Sequence, residues 1–319
     1  MKIAILTSGG DAPGMNACVR ACVRYAIYNN VEPYVVIRGY NGLVNGDIEP
    51  ADKRYVSDII HRGGTKIKTA RCPEFTEIEV QRKAAENLRK HGIEGLVVIG
   101  GDGSFRGAKA LFENCGIKTV GVPGTIDNDL NYTDFTIGFD TAVNTALDAI
   151  NRLRDTMISH DRLNIVEVMG RHCGDIALYS GLAGGAEIIL VPEIQVDLDE
   201  LCERIKVSMN SGKTSNLIVL AEGVMTAPQL MDEIKSRMDV SVRTTTLGHI
   251  QRGGMPSMQD RVLAAKMGCR AVEELLKGKG GIVVGVRNEE IIVDDIATAL
   301  DMPSKFNFDL YRTANILGK

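Results

Sequence analysis

The sequence predicts an α/β protein of two layered α/β/α, Rossmann-like domains with mainly parallel sheets and an active site in the cleft between them. Three observations carry that expectation. The chain has 319 residues, more than one small core holds, so two domains with a cleft are the default. Short apolar runs recur along it, each followed by glycine or a polar turn and then by helical spacing, which is the order of strands joined by crossover helices. The runs are continuous in Val, Ile and Leu, without in/out alternation, as in parallel strands covered on both faces.

In chain order the strand-like runs are KIAIL (2–6), GLVVI (95–99), TVGV (119–122), NIVEV (164–168), EIILV (187–191) and NLIVLA (216–221). Helices are predicted over 16–28, 141–154, 198–209 and 260–277, where apolar residues recur at three and four spacing. Asp197 and Asp199 sit at the start of the third, where a carboxylate suits the unpaired amides. No fixed repeat, low-complexity tract or proline- or serine-rich linker breaks the pattern, so a two-domain chain crosses between its domains more than once. In such sheets ligands bind beyond the carboxyl ends of the strands, and chemistry is expected directly after each run.

Composition removes whole classes of function. Hydrophobic residues make up 44% and charged residues 24%, a globular profile that argues against disorder. The formal charge is −4 and the pI about 5.8, so the basic footprint of a nucleic-acid binder is missing and any anionic ligand must be held by local arginines. The seven cysteines form no CxxC pair and the chain opens on a strand-like run, which predicts reduced thiols in a cytoplasm. No apolar stretch reaches the roughly 18 residues that cross a bilayer, so no membrane role is expected.

Five segments stand where the fold places chemistry. TSGGDAPGMNA (7–17) follows the first strand and opens a helix, so its glycines expose amides beside a positive helix end that suits phosphate; a plain glycine-rich turn is the alternative. The spacing of Gly9, Gly10 and Gly14 does not match the dinucleotide pattern GxGxxG. GGDGSFRG (100–107) repeats the arrangement with Asp102 between glycines, either a Mg²⁺ ligand or a helix N-cap. In PGTIDND (123–129), an extended backbone puts Thr125, Asp127 and Asp129 on one face, and carboxylates that close separate their pKa values or recruit a cation; the bland alternative is a solvated turn. Phosphoryl transfer needs an acceptor for a hydroxyl proton, and Asp127 is the candidate base. MGRHCGD (169–175) and LGHIQRGG (247–254), with VSVRTTT ahead of the latter, supply Arg171, Arg243, His249 and Arg252, whose donors suit phosphate, although a single arginine is more often a surface charge. SGKTS (211–215) imitates the end of a Walker A loop, but Val207 stands where that loop requires glycine, and the stretch precedes a strand.

With these residues assembled, the chain resembles the bacterial ATP-dependent 6-phosphofructokinases from its first strand to its end. TSGGDAPGMNA, RGGT, ARCPEF, GGDGS, PGTIDND, TIGFDTA, MGRH, AEG and GHIQRGG occur in that family's order and approximate spacing. The resemblance implies a larger ATP-binding domain over 1–138 plus 252–304 and a smaller sugar-phosphate-binding domain over 139–251 plus 305–319. It places ATP on Gly10, Tyr40, Arg71, Cys72, Gly101, Gly103, Ser104 and Gly107, with Asp102 holding Mg²⁺. Thr125, Asp127, Asp129, Met169, Gly170, Arg171 and Glu222 then surround fructose 6-phosphate, with Asp127 as proton acceptor and Arg171 and Thr125 stabilising the transferring phosphoryl. Arg162, Arg243, His249 and Arg252 clamp the 6-phosphate. Because Arg162 and Arg243 come from a neighbouring subunit in the family, a homotetramer is implied.

The pyrophosphate-using branch of the family carries aspartate at the position of Gly103 and lysine at that of Gly124, so glycine at both implies ATP. The resemblance also implies an allosteric pocket for ADP and phosphoenolpyruvate from Arg20, Arg24, Arg54, Arg154, Gly185, Glu187 and Lys213. Arg20 and Arg24 lie four apart on one helix face. Ser211 and Ser215 stand where many relatives carry a basic residue and a histidine, and two missing partners weaken anion binding by about 1–3 kcal/mol each in a desolvated pocket, so blunted regulation is expected. A catalytically silent sensor of the same fold is disfavoured by the full set of Asp102, Asp127, Asp129 and Arg171. A lipid or NAD kinase sharing only GGDG is disfavoured by PGTIDND and MGRH.

Overall fold

In the computed structural model the described residues are 1–158, 162–213 and 215–318. In chain order the elements are β1 (Lys2–Thr7), α1 (Met15–Tyr28), β2 (Glu32–Val36), α2 (Gly39–Asn45), β3 (Ile48–Pro50), α3 (Ile78–Lys90), β4 (Gly95–Gly100), α4 (Asp102–Cys115), β5 (Lys118–Pro123) and α5 (Phe139–Ile158). There follow β6 (Leu163–Val168), α6 (Asp175–Ala183), β7 (Ile188–Leu190), α7 (Leu198–Asn210), β8 (Asn216–Ala221), α8 (Ala227–Arg237) and β9 (Val242–Thr246). The chain closes with α9 (Met258–Leu276), β10 (Ile282–Arg287), β11 (Glu290–Asp295), α10 (Ile296–Leu300) and α11 (Phe308–Leu317).

The chain divides into two compact units, Met1–Thr141 with Arg252–Ser304 and Ala142–Gln251 with Lys305–Lys319. The first holds a seven-stranded sheet in the order β11-β10-β5-β4-β1-β2-β3, parallel except where β3 pairs with β2 and β11 with β10. The second holds a four-stranded parallel sheet, β7-β8-β6-β9. Every residue of β4, β6 and β8 is buried, which is why these strands read as unbroken apolar runs. Each unit has its own core. Leu6, Leu96, Val98, Phe105 and Leu111 anchor the first, and Ile165, Ile218, Leu220, Leu230 and Ile234 the second.

Helix starts follow local chemistry. The Asp197 carboxylate accepts from the Asp199 and Glu200 amides and so caps α7, while Thr226 and Gln229 form a reciprocal capping box on α8. Asp260, at the start of α9, accepts from Gly138 N at 2.8 Å and Thr141 N at 2.9 Å, and so caps the start of α5 from a distant part of the chain. Burial pushes the Asp260 carboxyl above the usual carboxylate range against the opposing pull of these donors.

Several elements differ from the sequence expectation. EIILV contributes only Ile188–Leu190 to the sheet, and the 139–158 helix begins before the predicted 141. The β10–β11 hairpin carries no glycine signal because Asn288 and Glu289 adopt the left-handed turn themselves, at φ 50° and 66°. Of the SGKTS stretch, Thr214 lies outside the described residues; Ser211 ends α7 and donates its hydroxyl to Ser208 O at 2.7 Å.

Candidate active site

Three adjacent parallel strands of the first unit, β1, β4 and β5, end at one edge and release three glycine-bearing turns side by side. Ser8 N donates to Ile99 O at 2.9 Å and Gly124 N to Gly100 O at 2.9 Å, so the turns are zipped together just beyond the sheet. Close approach accounts for two of the glycines. A Cβ on Gly100 would lie 2.6 Å from Ser8 O, and one on Gly10 would run into the Arg252 guanidinium. Thr69 Oγ1 donates to Gly9 O at 2.8 Å and pins the 62–71 loop over the first turn.

Between the turns lies a cavity of about 840 Å³, within the range of small-molecule sites. Gly10, Tyr40, Arg71, Cys72, Gly101, Asp102, Gly103, Ser104 and Gly107 line it, and so do Thr125, Asp127, Asp129 and Arg252. The first turn of α4 opens into it, which directs unpaired helix amides at any phosphate placed there. Tyr40 forms a wall: its buried hydroxyl donates to Ser104 O at 2.6 Å and its ring stacks on Phe75 at 4.2 Å between centroids. Burial raises the Tyr40 phenol well above its ordinary pKa, so it stays a neutral donor. Burial, then Glu74, also raises the Cys72 thiol, which disfavours the reactive thiolate.

Asp102 is not a helix N-cap. Gly101 holds that position, and the Asp102 carboxylate turns to Arg106 one helical turn on, at 2.8 Å (Nε to Oδ2) and 3.2 Å (NH2 to Oδ1). Among the described residues no three His, Cys, Asp or Glu side chains group into a metal cage. One partly exposed carboxylate at a phosphate-directed helix start fits a Mg²⁺ ion that arrives with phosphate oxygens and water filling the rest of its shell. Arg106, which also lines the cavity, escaped the sequence reading although its i,i+4 spacing from Asp102 was the available signal.

The 125–129 stretch is not extended. It bends at residues 126–127, and Asn128 is left-handed at φ 54°, yet Thr125, Asp127 and Asp129 all face the cavity. The convergence therefore comes from the bend and not from strand alternation.

In the second unit, Glu222 N donates to Val168 O at 2.9 Å and Gly223 N to Gly170 O at 3.1 Å, which brings Met169, Gly170, Arg171 and Glu222 together beyond the carboxyl ends of β6 and β8. Arg171 and His249 are exposed. Arg243 is not beyond a strand end: it is the second residue of β9, paired with Asn164, and Arg162 directly precedes β6. Both lie about 20 Å along the sheet from Met169–Arg171. The division of the chain falls in the 3₁₀ turn Gly248–Arg252, so Arg252 belongs to the first unit with Asp127, and His249 to the second.

Arg154, Gly185, Glu187 and Lys213 also converge in the second unit. Lys213 Nζ lies 2.6 Å from the buried Glu187 carboxylate, Arg154 lies 4.0 Å from it, and Arg154 donates to Gly184 O at 2.7 Å and to Gly185 O. Arg20 and Arg24 share a face of α1 in the first unit, where burial and the neighbouring Arg24 charge lower the Arg20 pKa; Arg54 is exposed in the 53–58 turn.

Comparison with known proteins gives one consistent result. A family profile described as phosphofructokinase matches residues 2–275. An ATP-dependent 6-phosphofructokinase of Thermoanaerobacter pseudethanolicus is 56% identical over 316 residues, 99% of this chain and 98% of that protein. A protein of the same description from Clostridium acetobutylicum is 57% identical over 317 residues, 99% of each chain. The structure of phosphofructokinase from Saccharomyces cerevisiae is similar with a TM-score of 0.88 at 36% identity, over 94% of this chain but only 45% of that longer one. No described helix is long and apolar enough to cross a membrane. With the profile matched over most of its length and more than half of its residues shared with such relatives, the chain belongs to the phosphofructokinase family and is a phosphotransferase.

Proposed function

We propose that this chain is a cytoplasmic ATP-dependent 6-phosphofructokinase of glycolysis, transferring the γ-phosphoryl of ATP to the 1-hydroxyl of fructose 6-phosphate and releasing fructose 1,6-bisphosphate and ADP. The observation that carries the proposal is the single cavity in which the first turn of α4, with Asp102, meets the turn bearing Thr125, Asp127 and Asp129. The α4 amides and the Gly10 turn bind the phosphate chain, Tyr40 and Phe75 wall the cavity, and Arg71 reaches its rim. Asp102 would hold Mg²⁺, whose charge would offset that of the transferring phosphates. Asp127 orients the 1-hydroxyl and takes its proton as the new P–O bond forms, while Thr125 and Arg171 donate to phosphoryl oxygens whose charge grows in the transition state. Asp129, Met169, Gly170 and Glu222 hold the sugar.

ATP is favoured over pyrophosphate because a side chain at Gly103 points into the open cavity with no atom within 4 Å, so glycine leaves room for the α-phosphate and adenosine. A shared site between subunits is favoured because Arg162 and Arg243 lie at the opposite end of their sheet from Met169–Arg171, too far for one copy to place all of them on one sugar phosphate. With His249 and Arg252 they bind the 6-phosphate in a homotetramer. Arg20, Arg24, Arg54, Arg154, Gly185, Glu187 and Lys213 form the effector pocket for ADP and phosphoenolpyruvate, weakened by Ser211 and Ser215. The deciding experiment compares product formation from fructose 6-phosphate with ATP and with pyrophosphate. Turnover with ATP alone supports the proposal; turnover with pyrophosphate alone, or with neither, ends it.

A further inference from the structure

The turn that carries Asp127 has no regular secondary structure of its own, since residues 125–130 lie between the end of β5 and the stretch that leads into α5. Such turns sample many shapes unless something behind them holds one. Here the backing is the stretch 134–138, which runs into TIGFDTA (136–142), a motif that none of the roles above uses. Ile137 N donates to Pro123 O at 2.9 Å and Gly124 bridges Ile137 in parallel, so the stretch runs directly beside the base of the turn.

The contacts converge on one residue. Thr136, 1% exposed, donates its hydroxyl to Thr125 O at 2.6 Å. Asn128 accepts from Thr136 N at 3.0 Å through Oδ1 and donates Nδ2 to Asp134 O at 3.3 Å. Thr125 Oγ1 in turn accepts from Asp127 N at 3.2 Å, which closes the chain of contacts around the proposed base. The left-handed φ of 54° at Asn128 is one that asparagine tolerates better than most residues with a Cβ, and Asp127 and Asp129 on either side of it both line the cavity. The backing stretch is itself rooted in rigid elements: Asp134 N donates to Val286 O of β10 at 2.7 Å, and Gly138 N to the fully buried Asp260 at 2.8 Å.

We propose that Asn128 and Thr136 are positioning residues for phosphoryl transfer, a brace that fixes Thr125 and the Asp127 carboxylate without touching substrate. Neither lines the cavity. The proposal rests on Asp127 being the proton acceptor, as proposed above. A side chain displaced by about 1 Å loses on the order of a hundredfold in rate, so a brace of this kind acts on turnover more than on nucleotide affinity.

Three variants separate the brace from simple packing. Thr136→Val removes the hydroxyl at nearly constant volume, Thr136→Ser keeps it, and Asn128→Gly keeps the left-handed backbone while removing the amide. With fructose 6-phosphate and ATP, kcat is expected to fall about ten- to hundredfold in Thr136→Val and Asn128→Gly, with KM for ATP within about twofold, while Thr136→Ser stays within about threefold of the unsubstituted enzyme. Thermal unfolding and calorimetric titration with ATP on the same samples establish that each variant is folded and binds nucleotide. Should Thr136→Val fail to fold, Asn128→Gly, half-buried in the unsubstituted chain, decides alone. Unchanged kcat in the folded variants, or a loss in Thr136→Ser equal to that in Thr136→Val, overturns the brace. Asp127→Ser assayed alongside keeps the two claims apart: an inactive Asp127→Ser beside an unimpaired Thr136→Val sinks the brace alone, and a fully active Asp127→Ser sinks the base assignment and the brace with it.

Discussion

Replacing Gly103 by aspartate places a carboxylate in the cavity at the start of α4 while leaving the surrounding structure undisturbed. Gly103 is the second residue of α4, its φ is ordinary, and nothing lies within 4 Å of the position a Cβ would take. For folding, the change removes a helical glycine and adds a negative charge near a helix N-terminus, both favourable, by about 0.5–1 kcal/mol together after allowing for repulsion from Asp102. For nucleotide binding the same charge is adverse. At about 5 Å from an α-phosphate charge and an effective dielectric of about 20, Coulomb's law gives about 3 kcal/mol; solvent access and salt reduce this to about 2 kcal/mol, or a roughly 30-fold rise in KM for ATP. The assay is steady-state turnover at saturating fructose 6-phosphate with ATP varied, beside a thermal unfolding curve. The expected variant is as stable as the unsubstituted enzyme or more so, and poor only toward ATP. An unchanged KM for ATP would refute the placement of the phosphate chain over the start of α4. The companion change Gly124→Lys behaves differently, because its Cβ would lie 2.9 Å from Ile99 Cγ2 and 3.3 Å from Met15 Cε, an overpacking that costs about 1–3 kcal/mol of stability.

Further expectations come from the same geometry. In Gly107→Ala the new methyl would sit 2.8 Å from the Tyr40 ring, so the Tyr40–Ser104 hydrogen bond is lost; KM for ATP rises severalfold, and a normal KM would exclude Tyr40 as a cavity wall. Asp260→Asn leaves at least one of its donors unaccepted and costs about 1–3 kcal/mol near neutrality. Since the native Asp260 pKa is raised, the folded state takes up its proton before the unfolded chain does, so the advantage of the unsubstituted protein over this variant widens as pH falls through that raised value toward the ordinary carboxylate range. Denaturant unfolding at several pH values checks this, and a gap that narrows on acidification contradicts it. Mixing Asp127→Ser subunits with Arg243→Ser subunits regains activity if the sites are shared, and inactive hybrids tell against sharing. Phosphoenolpyruvate shifts the fructose 6-phosphate saturation curve only weakly, and a strong shift at micromolar inhibitor contradicts the weakened effector pocket.

The layered order, the glycine turns and the three aspartates are legible in the sequence because each rests on local chemistry: buried parallel strands are unbroken apolar runs, and at Gly100 and Gly124 the neighbouring atoms leave no room for a Cβ. What escapes local reading is set by tertiary contact. The bend at 126–128 replaces the expected extended face because Thr136, 11 residues from Thr125, holds it there. Arg106 captures Asp102 through ordinary helical spacing that many surface pairs share. Arg162 and Arg243 carry the same composition signal as Arg171, and only the strand register shows that they stand at the other end of the sheet. The hairpin at 288–289 uses Asn and Glu where glycine is the usual signal, so β10 and β11 leave no mark in the pattern of turns.

The central claim is that a carboxylate in the turn after β5 takes the proton of a sugar hydroxyl while the start of α4 holds the phosphate donor. Single-turnover transfer from labelled ATP to fructose 6-phosphate by Asp127→Ser, with ATP affinity measured by calorimetry on the same sample, addresses it directly. The expected result is ATP binding within about twofold of normal and transfer slowed by about 10²- to 10⁴-fold. Transfer at the normal rate, or slowed transfer accompanied by loss of ATP binding, would contradict Asp127 as the proton acceptor.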